Sequence, residues 1–207
     1  MIKKIRNLKL KICNCNKGFT LVEVLVAISI FTISITALMS TLASGISDTT
    51  YAKNKMTATY LAQEGIEYIR NMGDDYMLFD PQASGNGWGD FITAINPCST
   101  YDCGLNNTAT IFPTDPNFIF YPCPSYSDLN NQCRLFLNNG NYYSDGTPDG
   151  GGNGVPSGFV RTIGVRPYSG DEIAVISTVD WEQGAVWHSV SFTEDLFNWS
   201  QGQVVAP

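Results

Sequence analysis

Phe19 to Leu42 is the most apolar stretch of the chain, with 14 Phe, Leu, Ile, Val or Met residues and a single charge, Glu23. At a rise of ~1.5 Å per residue, 24 residues form a helix of about 36 Å, long enough to cross a hydrocarbon layer of roughly 30 Å with some tilt. Fourteen large apolar side chains favour insertion by roughly 4 to 8 kcal/mol, which outweighs the ~3 kcal/mol cost of one mid-membrane carboxylate. The pattern therefore predicts a transmembrane helix. Three- and four-residue steps then continue through Met56, Tyr60, Leu61, Glu64, Ile66, Tyr68 and Ile69 to Asn71-Met72-Gly73. Gly73 reads as the helix stop. There is no proline before Pro81, so the break, if any, falls near Ser44-Gly45.

The C-terminal third changes period. Phe159 to Pro167, Glu172 to Trp181 and Ala185 to Phe192 are rich in Val, Ile and aromatic residues. In the second run Ile173, Val175, Ser177, Val179 and Trp181 alternate with Ala174, Ile176, Thr178 and Asp180, the pattern of a half-buried strand. Turns at Ser169-Gly170-Asp171 and Glu182-Gln183-Gly184 are short enough for hairpins. Between helix and strands, residues 81 to 158 hold eight of the ten prolines and 11 of the 19 glycines, and read as a long loop-rich region. Helix first and strands later predicts an α+β fold with an antiparallel sheet on the helix. The expected organisation is 1–18, a cationic leader; 19–73, the long helix; 74–158, the loop-rich region; and 159–207, the sheet and C-terminal tail.

Charge sharpens the first boundary. Lys3, Lys4, Arg6, Lys9, Lys11 and Lys17 all precede Gly18 with no acidic residue among them, giving +6. The other six Lys and Arg face all 19 acidic residues, so positions 19 to 207 carry −13. Six cations before the span and only Lys53 and Lys55 soon after it predict a cytoplasmic N-terminus and an exported body. An acidic body with only Arg70, Arg134, Arg161 and Arg166 beyond Lys55 disfavours nucleic acid as a partner. An ordinary secretory signal would instead be cut after the apolar run, near Ala43-Ser44-Gly45.

Lys17-Gly18-Phe19-Thr20-Leu21-Val22-Glu23-Val24-Leu25-Val26-Ala27-Ile28, preceded by a basic leader, resembles the prepilin signature of the type IV pilin and type II secretion pseudopilin families. The resemblance implies that a prepilin peptidase cuts after Gly18 and that Phe19 becomes the N-methylated terminus. Glu23 matches the family's acidic position. A carboxylate in a membrane span is costly unless paired. Cleavage would supply the missing cation, because the Phe19 ammonium exists only afterwards and a neighbouring subunit's Phe19 could neutralise Glu23. The alternative is that Glu23 reaches the cytoplasmic interface by itself. Leu61-Ala62-Gln63-Glu64-Gly65-Ile66-Glu67-Tyr68-Ile69-Arg70, and the run from Phe159-Val160-Arg161 to Leu196-Phe197-Asn198-Trp199, are similar to PilV-type minor pilins. Residues 81 to 158 resemble nothing nameable.

Four cysteines fall in that middle region. Cys98 and Cys103 enclose four residues, and Cys123 and Cys133 enclose nine. Two local disulfides are favoured among the three pairings open to four cysteines, over a zinc site that lacks the usual close cysteine pairs. Cys13 and Cys15 belong to the cytoplasmic leader and are expected to stay unpaired. Ser29, Thr32, Thr36 and Ser40 share a helix face, as a packing stripe for close helix contacts or as hydroxyls bonded back to their own helix.

No catalytic constellation is evident. His188 is the single histidine, so metalloprotease motifs are excluded, and no Gly-Lys dipeptide offers a phosphate loop. Asp145, Asp149 and Asn153 lie in a glycine-rich stretch that lacks the alternation of a standard calcium loop. Asn106-Asn107-Thr108 and Asn198-Trp199-Ser200 fit a glycan-acceptor pattern. The expectation is a cofactor-free, non-enzymatic subunit: a minor pilin held in the cytoplasmic membrane by one helix, then drawn into a surface pilus by an assembly platform alongside other pilin subunits. A type II secretion pseudopilin is the alternative within the family. An anchored adhesive protein is the alternative outside it.

Overall fold

A computed structural model describes residues 18–79, 86–106, 120–123, 133–144 and 154–199, apart from the side chain of Tyr168. The fold is α+β. Its elements are α1 (Leu21–Phe79), α2 (Gly87–Ile95), α3 (Pro97–Thr100), β1 (Cys103–Leu105), β2 (Phe120–Pro122), β3 (Arg134–Asn138), β4 (Asn141–Tyr143), β5 (Val155–Ser169), β6 (Glu172–Gln183) and β7 (Val186–Phe197). The chain divides into Met1–Asp48 and Thr49–Pro207.

In the first unit α1 is apolar all round, and every described residue is exposed. Its mean hydropathy over an 18-residue window reaches 2.3, so by length and composition it is able to cross a membrane. A helix with no polar face has no aqueous side to present, and lipid or other helices must cover it.

In the second unit the remainder of α1 buries Ala58, Leu61, Ala62, Gly65, Ile66, Ile69, Met72 and Tyr76. The stripe differs from the one expected: Met56 and Tyr60 point outward, and small residues take their place. Gly65 shows why. A Cβ there would lie 2.5 Å from Ser177 Oγ and 3.2 Å from Ile163 Cδ1, so the helix approaches the sheet closer than a side chain allows. Nor does Gly73 stop the helix, which runs on to Phe79. Gly73 admits the ring of Phe91, 3.2 Å from where its Cβ would be, and is a packing position rather than a cap.

Among the described residues the sheet has seven strands. β5 pairs with β6 over Phe159↔Trp181 to Ser169↔Glu172, and β6 with β7 over Glu172↔Phe197 to Gln183↔Val186, all antiparallel. On the other edge β5 meets β3 near Val160 and β1 at Ile163. β5 begins at Val155, four residues before its predicted start. Pro156 is tolerated there because β6 pairing starts only at Phe159. The alternation in β6 is as expected: Ile173, Val175, Ser177, Val179 and Trp181 are buried.

The region expected to be loops holds more structure than that. Asn86 Oδ1 accepts the Gly89 N–H and opens α2, which buries Trp88, Phe91, Ala94 and Ile95 against Ile69, Met72 and Tyr76 of α1. β3 and β4 form a hairpin whose two turn residues, Asn139 and Gly140, both have positive φ, 50° and 84°. Asn-Gly is the pair best suited to that turn.

Candidate functional site

Gly18, Phe19 and Thr20 precede the first helical residue and are exposed, and Phe19 retains 81% of its surface. Nothing approaches the Cα of Gly18 within 4 Å of where a Cβ would be. The Gly18–Phe19 peptide bond is therefore open, non-helical backbone, the form a peptidase cleft requires. Thr20 is the N-cap. Its Oγ1 accepts the Glu23 N–H at 3.2 Å and its carbonyl accepts the Val24 N–H at 3.2 Å. Thr20-x-x-Glu23 is the sequence of a capping box, and it fixes the helix start two residues beyond that bond.

Glu23 stands in the first turn of α1, where a carboxylate is favoured by the positive end of the helix dipole. It is exposed, and among the described residues it has no ion-pair partner. Of the hydroxyl stripe, Ser29 donates to the Leu25 carbonyl at 2.7 Å, Thr32 to Ser29 at 2.9 Å and Thr36 to Ile33 at 2.9 Å. These three hydroxyls are satisfied within their own helix, the second of the two readings.

Cys98 and Cys103 are within disulfide reach, with Cα atoms 5.2 Å apart, as are Cys123 and Cys133 at 5.9 Å. His188 is half-buried, stacked on Trp181 at 5.4 Å and edge-on to Tyr51 at 5.0 Å. It packs against these two rings. Asn106 is 4% exposed, which leaves its amide out of reach of a glycan transferase. Asn198 is tied to Asp171 at 3.2 Å. Cys13, Cys15, Asn107, Thr108, Asp145, Asp149, Asn153 and Ser200 lie outside the described residues.

Sequence reasoning missed the polar joint between helix and sheet. Arg161 on β5 is 2% exposed; its Nη1 lies 3.5 Å from Glu64 Oε2 and donates to the Leu61 carbonyl at 3.3 Å. Burial pulls its pKa down, and the Glu64 carboxylate opposes that. Arg70 bridges Glu67 at 2.8 Å and Glu194 on β7, whose Oε1 accepts its Nε–H at 2.9 Å. The hydrogen bond to Glu194 raises the Arg70 pKa. A basic residue two places after a buried aromatic on the inward face of a strand was the available signal for Arg161.

The prokaryotic N-terminal methylation motif matches residues 13–39, from the end of the leader nearly to the end of the apolar run at Leu42. No curated protein and no solved structure is matched. The motif supports a protein of type IV pilin or pseudopilin type, a structural rather than catalytic class. It implies processing by a prepilin peptidase and assembly with other pilins, and with the apolar helix it fits membrane anchoring.

Proposed function

We propose that the chain is a minor pilin of a type IV pilus. In this reading a prepilin peptidase cuts between Gly18 and Phe19 and methylates the Phe19 amine. α1 holds the subunit in the cytoplasmic membrane with its head exported, and the assembly platform then draws it among other pilin subunits. Glu23 pairs with the Phe19 ammonium of a neighbouring subunit and sets the register between stems. Leaving one member of such a buried pair stranded costs ~3–5 kcal/mol, enough to reject a misregistered subunit. Cys98–Cys103 and Cys123–Cys133 close as disulfides once the head is exported.

The observation that carries the reading is the methylation motif lying across an exposed, non-helical Gly18–Phe19 bond, with a capped apolar helix starting immediately after it. Intact-mass spectrometry of the mature chain should find N-methylphenylalanine at position 19. Glu23→Ala protein should remain in the membrane and disappear from sheared fibres. An intact Met1, a cut near Ala43, or normal incorporation of Glu23→Ala would each sink the proposal.

A further inference from the structure

A polar hollow of about 350 Å³ opens on the sheet face opposite α1. Its floor is a cross-strand row in which Thr162 of β5 faces Thr178 of β6, and Thr178 faces Ser191 of β7. Strand side chains alternate between faces, and Ile163 and Ser177 next to this row touch α1 at Gly65. Thr178 and Ser191 hydroxyls are 2.8 Å apart and hold each other in place.

The wall comes from the four residues between Cys98 and Cys103, all of which line the hollow. A five-residue separation closed by a cysteine pair holds that segment over the sheet. Asp102 is its polar tip. Gly164 below makes room for it, because a Cβ at position 164 would stand 3.1 Å from Asp102 Oδ1. Arg166 lies exposed at the rim and Tyr101 keeps 46% of its surface at the mouth. Asp180 continues the same face of β6. Burial raises its carboxyl pKa, a hydrogen bond from Ser189 opposes the rise, and the charge of Asp102 adds to it, so the two carboxylates share one field.

These groups select among ligand classes. Asp102 in the lining, with Asp180 near it on the same face, offsets the one guanidinium of Arg166, so the hollow offers no net positive charge to hold phosphate or sulfate. Among the described residues no three His, Cys, Asp or Glu side chains gather to hold a metal ion. A lining of hydroxyls offers little to an apolar molecule. What the set matches is an uncharged polyol: adjacent hydroxyls donate to Asp102, accept from Arg166 and exchange hydrogen bonds with the threonine row, while a C–H face lies on the Tyr101 ring. Ligand pockets run from roughly 300 to 1,000 Å³, and this one suits a mono- or disaccharide.

We infer that this hollow, walled by the Cys98–Cys103 segment and floored by Thr162, Thr178 and Ser191, is a binding site for a neutral saccharide. The inference is independent of the pilus reading, since it concerns the head alone.

The test uses the full chain in a detergent without a sugar head group. Glucose, galactose, mannose, N-acetylglucosamine and lactose are titrated by saturation-transfer NMR. At least one should bind saturably with Kd of about 1–10 mM, and Asp102→Asn, Gly164→Ala and Thr178→Val should each weaken it several-fold without altering the near-ultraviolet spectrum. Wild-type entry of Asp102→Asn into fibres separates this result from the assembly question. Absence of binding by all five sugars, binding indifferent to both Asp102→Asn and Thr178→Val, or occupation by calcium or inorganic phosphate in their place would overturn it.

Discussion

Arg161 Nη1 stands 3.5 Å from Glu64 Oε2, joining a fully buried guanidinium on β5 to a half-exposed carboxylate on α1. The relationship is asymmetric. Arg161 depends on Glu64 and the Leu61 carbonyl to offset its loss of water, and among the described residues Arg161 Nη2 has no hydrogen-bond partner. Glu64 reaches solvent and needs Arg161 far less.

Glu64→Ala should therefore destabilise the head by about 1–3 kcal/mol, because a buried cation loses its counter-charge. Replacing both, as Glu64→Ala with Arg161→Met, should recover much of that loss, since removing the buried charge removes the need for its partner. Urea unfolding of the four proteins forms the cycle, and a double variant weaker than Glu64→Ala contradicts the asymmetry.

Gly65→Ala puts a methyl group 2.5 Å from Ser177 Oγ. The gain in helix propensity is about 1 kcal/mol, and overpacking costs about 1–3 kcal/mol, so the net change should be destabilising. Ser177 Oγ is buried and has no hydrogen-bond partner among the described residues. Ser177→Ala alone should be close to neutral, and combined with Gly65→Ala it should restore part of the loss in thermal denaturation.

The sequence made the two periodic elements plain and hid the joint between them. A run such as Ile173 to Trp181 declares a strand because alternation is local. The inward stripe of α1 is harder to see, since Ala58, Ala62 and Gly65 carry no hydrophobic signal and are selected by the distance to a sheet a hundred residues later. α2 was missed for a related reason: Gly87 and Gly89 in its first turn suggest a loop, whereas burial of Trp88 and Phe91 decides the matter. The Asn139-Gly140 hairpin was legible and passed over amid the surrounding prolines and glycines. For the proposed N-terminal site, Gly18, Phe19 and Glu23 stand out as candidates because the motif that carries them is contiguous; Thr20 as the cap is readable from Thr20-x-x-Glu23 as well.

Asp180 provides a pH dependence. Its folded pKa is raised above the ordinary 3.8, chiefly by burial, so the folded state binds the proton more tightly than the unfolded one. That contribution is fully present below about pH 4 and is lost as pH rises through the folded value. Asp180→Asn, which stays neutral throughout, should raise Tm by about 1–2 °C at pH 7, and the advantage should vanish below pH 4. A Tm difference that is flat with pH contradicts this.

The two cysteine pairs, closed as proposed, should differ in worth. On loop-closure entropy a separation of 5 gives about 2 kcal/mol and a separation of 10 about 2.7 kcal/mol. Removing Cys123–Cys133 by double serine substitution should cost the more in global stability by urea unfolding, while removing Cys98–Cys103 should act mainly on the wall of the hollow.

The first intrahelical hydrogen bond of α1, from Val24 to Thr20, lies wholly downstream of Gly18–Phe19. If the chain is cut there as proposed, hydrolysis of that linkage breaks no hydrogen bond of α1, so the helix offers the peptidase neither reward nor resistance. Under the proposed processing, the timing of leader loss is then a matter of encounter with the enzyme.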